Sequence, residues 1–285
     1  MIQAGVSGLV AGGVYALLGI CLVLTFRMAG VLNLAQAAIG AFAAFAMIEL
    51  HDDGWGYLPA AVAGLAAGAA IAVVIGLAMN RWFGEANVTT RAGVSIAILV
   101  GLLAVGSRLF GGDPRAFPPI LPDVRLKVAG VVLTAATLIS LAASVVMAAV
   151  LTIVLGRTRT GHRLRAVAAR PVTAELLGIP VRRLTTAVWA VSGLVAGGAV
   201  LLVAPVQTSQ FASLSLLILP ATAAALIGLF RSFWLTVAGG IGIGVLTGLI
   251  GDVQSIAPFS NVIPFVVVVI VLCVVQRKEV WDVAR

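Results

Sequence analysis

Between residues 157 and 183 stand seven arginines, Arg157, Arg159, Arg163, Arg165, Arg170, Arg182 and Arg183, against one acid, Glu175. Guanidinium groups at this density bind anions such as lipid headgroups or the carboxylates of a protein partner. Little else in the chain could react. A phosphate-cradling loop needs Gly-Lys-Ser or Gly-Lys-Thr, but the only lysines, Lys127 and Lys278, follow Leu126 and Arg277. The two histidines, His51 and His162, lie in separate polar segments. That excludes a paired-histidine metal centre and a buried serine–histidine dyad. Cys21 and Cys273 sit inside apolar runs without metal-ligand spacing and read as small core residues. No catalytic residue and no cofactor is assigned to this chain, so whatever energy it uses comes from a partner.

Within the basic segment, Pro171-Val-Thr-Ala-Glu-Leu-Leu-Gly178 is punctuated as a short helix. Pro171 suits its first turn and Gly178 its stop. Val172 and Leu176 then share a face, with Leu177 beside them. Apolar side chains on a water-facing helix need cover. Arginines that set topology and touch anionic lipid account for the charge but not for the helix, which is read as a docking element.

The elements that position this segment are apolar. Of 285 residues, 61% are hydrophobic and 10% charged, with a mean hydropathy of +1.17. A soluble domain would be roughly a quarter charged, so the solvent is lipid. The net charge of +8 does not indicate nucleic acid, because the basic residues cap apolar runs rather than forming a stripe with aromatics between them. Runs of spanning length fall near 4–26, 31–50, 58–79, 92–110, 129–156, 184–206, 214–230, 233–251 and 259–276. The second begins only a few residues after Arg27 and the seventh holds Pro220, so one is expected to be re-entrant or broken. The reading is an all-α polytopic membrane protein of eight or nine transmembrane helices in a single transmembrane domain over 1–285. No Lys or Arg precedes Arg27, so the first run is expected to be a retained span.

With 157–183 in the cytoplasm, alternation places fourteen Lys and Arg inside and four (Arg108, Arg115, Arg125, Lys127) outside. This predicts an external N-terminus and a cytoplasmic C-terminus. The proline-rich connection 111–128 is expected to form an ordered outer cap. No ionisable residue falls in a span interior, which argues against a proton-coupled carrier. Abundant glycine and alanine read as close helix packing. The string Val-Ser-Gly-Leu-Val-Ala-Gly-Gly at 6–13 recurs at 191–198.

Gly161-His-Arg-Leu-Arg165-Ala166, followed by Thr173-Ala174-Glu-Leu176-Leu177-Gly178-Ile179, resembles the coupling loop of permeases in ATP-driven importers for branched-chain amino acids, most closely the shorter, LivH type. Gly13-Val-Tyr15-Ala16-Leu17, Gly30-Val-Leu-Asn33-Leu-Ala-Gln36 and the stretch from Leu219-Pro220-Ala221 to Gly239-Gly240 are similar to that family's pattern too. The family usually has Gly and Pro where this chain has Phe230-Arg231-Ser232-Phe233-Trp234. The resemblance implies a multi-pass subunit of a bacterial-type cell membrane, worked by two cytoplasmic ATPase subunits that bind the ATP. It also implies a second permease subunit, a homologue or a copy, and an extracytoplasmic solute-binding protein; lipid is a partner and nucleic acid is not. Gly161, Arg165, Ala166, Pro171, Ala174, Leu176, Leu177, Gly178 and Ile179 would form the coupling loop. Asn33, Gln36, Pro220 and Thr222 would line the solute path, with helix capping or interhelical bonding the competing role for Asn33 and Gln36. Permeases for urea, amides, sugars or nucleosides are rival readings in the same superfamily; a stand-alone channel or secondary carrier is a more distant one.

Overall fold

The computed structural model describes residues 2–118, 125–128, 131–207, 209–253 and 257–283. The first helix, α1 (Ile2–Ala29), is about 42 Å long at 1.5 Å per residue, enough to cross a hydrocarbon core of about 30 Å with about two turns to spare. Gly30 ends it at φ +66°, with its N–H donating to Phe26 O at 3.1 Å. After an irregular turn comes α2 (Gln36–Asp52), which has 17 residues, 12 of them buried. The expected span 31–50 is therefore an extended entry followed by a shorter helix. Then come α3 (Tyr57–Trp82), α4 (Val88–Phe110), α5 (Ala135–Arg157), α6 (Arg159–Ala169), α7 (Pro171–Leu176) and α8 (Val181–Val203). The last four are α9 (Phe211–Ser215), α10 (Ile218–Ile227), α11 (Phe233–Gly251) and α12 (Ile263–Val283).

Among the described residues, six helices are long and apolar enough to cross a membrane: Gln3–Ala29, Tyr57–Trp82, Val88–Phe110, Ala135–Arg157, Val181–Val206 and Phe233–Gly251. The run at 214–230 is broken. The helices α9 and α10 meet at Leu216–Leu217, and α10 has ten residues, about 15 Å. The run at 129–156 does not begin as a helix. A small antiparallel hairpin pairs β1 (Arg125–Val128) with β2 (Val131–Thr134), and α5 starts at Ala135 with Thr134 as its cap. Val128, Val131, Val132 and Thr134 are β-branched, which favours extended backbone. The expected outer cap has a described part. Arg115 donates from its backbone to Ser209 O at 3.1 Å and from its guanidinium to Glu49 at 2.8 Å. Residues 119–124 lie outside the described set.

Burial identifies the core. The spanning window of α1 is 83% buried and that of α8 67%, against 28% for α3 and α5 and 11% for α4. The helices α1, α2, α8 and α10 are the interior, while α3, α4, α5, α11 and α12 present an apolar surface to lipid. Glycine makes the closest approach possible. A Cβ on Gly244 of α11 would lie 2.5 Å from Gly12 N and 2.6 Å from Gly8 O of α1, so here two backbones touch. The repeated octapeptide does the same work twice. Gly8 and Gly12 admit α11, while Gly193 and Gly197 admit α3 and α2.

At one end of the bundle, Phe42, Phe45, Phe110, Phe117 and Phe211 form a continuous ring cluster with centroids 4.9–5.7 Å apart. It fastens the end of α4 to α2 and α9. At the other end, Arg27 Nη1 donates to Arg231 O at 2.9 Å, and its guanidinium lies 5.3 Å over the Phe233 ring. The turn after α10 holds Leu229 and Phe230 at φ +51°, a region that favours glycine. In this chain Phe230 is held by Phe26, with ring centroids 5.3 Å apart.

Candidate functional site

The basic segment folds into two helices rather than the one expected. Thr158 caps α6, its hydroxyl accepting from Gly161 N at 3.1 Å. A Cβ at Gly161 would lie 2.6 Å from Leu155 Cα, so only glycine lets α6 fold back against the last turn of α5. The face carrying Gly161, Leu164 and Val167 is buried against the bundle, which leaves His162, Arg163 and Arg165 in solvent and Ala166 half-buried. The Thr158 cap and the i, i+3, i+6 apolar spacing were the sequence signals for α6.

The second helix, α7, starts at Pro171 in its first turn and stops where expected, at Gly178, with φ +76°. Two bonds close its end, Gly178 N to Glu175 O at 2.9 Å and Ile179 N to Ala174 O at 3.0 Å. Ala174 is buried and Ile179 half-buried. Opposite Ala174, Val172 is 72% exposed, Leu176 84% and Leu177 74%. The result is a short helix, anchored through α6, that presents an apolar triad among exposed arginines.

The opposite end of the bundle carries two adjoining clefts, of 330 Å³ and 550 Å³. They share the wall formed by Tyr15, Val206, Gln207 and Thr247, and the larger reaches Ser213 and Pro220. Tyr15 and Gln207 line both clefts. Among the described residues, no charged side chain lines either cleft. Hydroxyl and amide groups on apolar walls make brief hydrogen bonds with a neutral or zwitterionic solute without trapping it.

The four residues assigned to the solute path do not come together. Pro220 lines the larger cleft. Thr222 turns its hydroxyl back to Ile218 O at 2.7 Å. Asn33 and Gln36 are 1% and 0% exposed and line neither cleft. Gln36 Nε2 donates to Ser192 O at 2.7 Å, and Gln36 Oε1 accepts from Ser192 Oγ at 2.9 Å and from Asn33 Nδ2 at 2.6 Å. This network bolts α2 to α8, the interhelical role weighed above. Tyr15, Gln207, Ser213 and Thr247 were missed as cleft residues because they lie on three helices and the turn after α8.

No curated protein and no solved structure matches the chain. The sequence pattern of the permease component of branched-chain amino acid transport systems does match it, over residues 5–272. A helical bundle with six apolar helices of spanning length agrees with that match, and the chain belongs to this family of ATP-binding-cassette transporter permeases, multi-pass transport subunits of the cell membrane.

Proposed function

We propose that this chain is the permease of an importer for branched-chain or other hydrophobic amino acids, and that α6 and α7 are its handle. The observation that carries the proposal is the exposed triad Val172, Leu176 and Leu177 on a helix fastened to the bundle by Gly161, Leu164, Val167 and Ala174. Each of two cytoplasmic ATPases would cover one such triad, with Arg165 and its neighbours meeting carboxylates around the rim. The ATP is bound by those subunits; this chain carries no cofactor. Closure of the ATPases would push α7, and through α6 the end of α5, so that the bundle rocks as rigid bodies. In this reading the chain crosses eight or nine times, with the N-terminus outside and the C-terminus inside. The clefts around Tyr15 and Gln207 then face outward, where a solute-binding protein delivers cargo. A second permease subunit, homologue or copy, would close the pathway on the open side.

The test is Leu176→Asp in proteoliposomes holding the assembled importer. Leu176 is exposed, so the variant inserts normally, while a carboxylate in an apolar contact costs several kcal/mol. ATP-driven uptake and co-purification of the ATPases are both expected to be lost. Normal uptake by an inserted variant refutes the docking role.

A further inference from the structure

The helices α3 and α4 are consecutive, yet they make almost no contact along their length. The helix α4 is pinned at its ends. At one end stands the phenylalanine cluster, where a Cβ on Gly106 would lie 2.6 Å from Phe211 Cδ1. At the other, Arg91 donates to Phe83 O at 2.9 Å and to the carbonyls of Gly84, Ala29 and Gly30. Between the pins lies an apolar furrow of 480 Å³. Ile71, Val74 and Ile75 line it from α3, and Ile98, Leu102 and Val105 from α4.

At the Arg91 end of the same seam is a cavity of 540 Å³ bounded by the ends of α1, α3 and α4 and by α6, α7 and α8. Its charged groups are Arg81, Arg91, Arg182 and Glu175. Backbone carbonyls occupy Arg91. Arg81 and Arg182 are exposed, and neither forms an ion pair among the described residues. One apolar cluster joins furrow and cavity, with Val31 and Met79 on the cavity side and Ile75 and Ile98 on the furrow side. From Arg81 to Ala70 along α3 is about 16 Å, close to the half-thickness of a bilayer's hydrocarbon core. A basic pocket at the interface over an apolar furrow one leaflet deep matches a phospholipid in charge, polarity and length.

We propose that this seam holds one anionic phospholipid, its phosphate between Arg81 and Arg182 and an acyl chain in the α3–α4 furrow. A second copy of the chain would fill the furrow but would leave the arginines unmet. The lipid would also sit beneath Glu175 and Val172 of α7, so headgroup charge would act on the position of the docking helix. The site itself does not depend on the docking reading.

The test takes the full chain from vesicles of equal phosphatidylglycerol and phosphatidylcholine and weighs it by native mass spectrometry. One retained phosphatidylglycerol per chain is expected, in clear preference to phosphatidylcholine. A juxtamembrane arginine is worth about fivefold in anionic-lipid binding, so Arg81→Gln with Arg182→Gln should reduce the preference about twenty-five-fold. Gly101 opens into empty space, so Gly101→Phe should fill the furrow and reduce retention of both lipids. In the wild type, phosphatidylglycerol with a photoreactive acyl chain should label α3 and α4 peptides first. Equal retention of the two lipids, an unchanged preference in the double variant, or labelling spread evenly over α5 and α12 overturns the proposal. So does a photoreactive residue at Val74 that captures a second copy of the chain.

Discussion

The crossing of α1 and α11 allows one substitution to be run against its own control. Gly242 and Gly244 lie two residues apart on α11. A Cβ on Gly242 meets nothing within 4 Å, whereas one on Gly244 lies 2.5 Å from Gly12 N and 2.6 Å from Gly8 O. Both Gly→Ala changes gain up to about 1 kcal/mol of helix propensity. At position 244 the obstacle is backbone, which cannot rotate aside, so the helices must separate. Overpacking of this kind costs about 1–3 kcal/mol, and a gap of about 1 Å forfeits up to half the dispersion energy of the atoms facing it. The loss extends to Gly240, whose Cβ position is 2.5 Å from Ala16 N. Gly244→Ala should therefore destabilise by about 2 kcal/mol and Gly242→Ala stabilise by about 0.5 kcal/mol, which separates their melting temperatures by about 5 °C. Buried Cys21 is the reporter; with exposed Cys273 changed to Ser, thiol labelling on heating follows opening of the core. Two variants melting within a degree of each other would mean that the helices do not cross at these glycines.

Two further outcomes follow from particular contacts. Gln36→Leu removes three hydrogen bonds between the start of α2 and Ser192 or Asn33, leaving buried polar groups unmet at about 1–3 kcal/mol each. The melting temperature should fall while uptake per folded molecule is unchanged; lost uptake with normal melting would return Gln36 to the solute path. Leu229, 47% exposed at φ +51°, should accept Gly with no loss of stability, whereas Leu229→Val should melt lower. Equal effects of the two would contradict the left-handed turn.

Composition and spacing were enough for the broad outline, because each rests on local chemistry. Lipid as solvent follows from the scarcity of charge, and the α7 boundaries follow from Pro171 and Gly178, residues whose own backbone preferences start and stop a helix. The apolar triad on α7 was legible for the same reason, since three large side chains four and five residues apart on so short a helix cannot all be buried.

Other features depend on what lies opposite a residue. Asn33 and Gln36 look alike as polar groups near a span, and only the arrival of Ser192 from α8, 156 positions away from Gln36, makes them a bolt between helices. Hydropathy could not separate α1, the buried centre, from α4, the exposed rim, because lipid and a helical neighbour satisfy the same apolar side chains equally well. The clefts gather Tyr15, Gln207, Ser213 and Thr247 from distant segments, and no periodicity links them. Nor does glycine composition reveal which glycines are indispensable. Gly242 and Gly244 are the same residue two positions apart, and only the backbone of α1 distinguishes them.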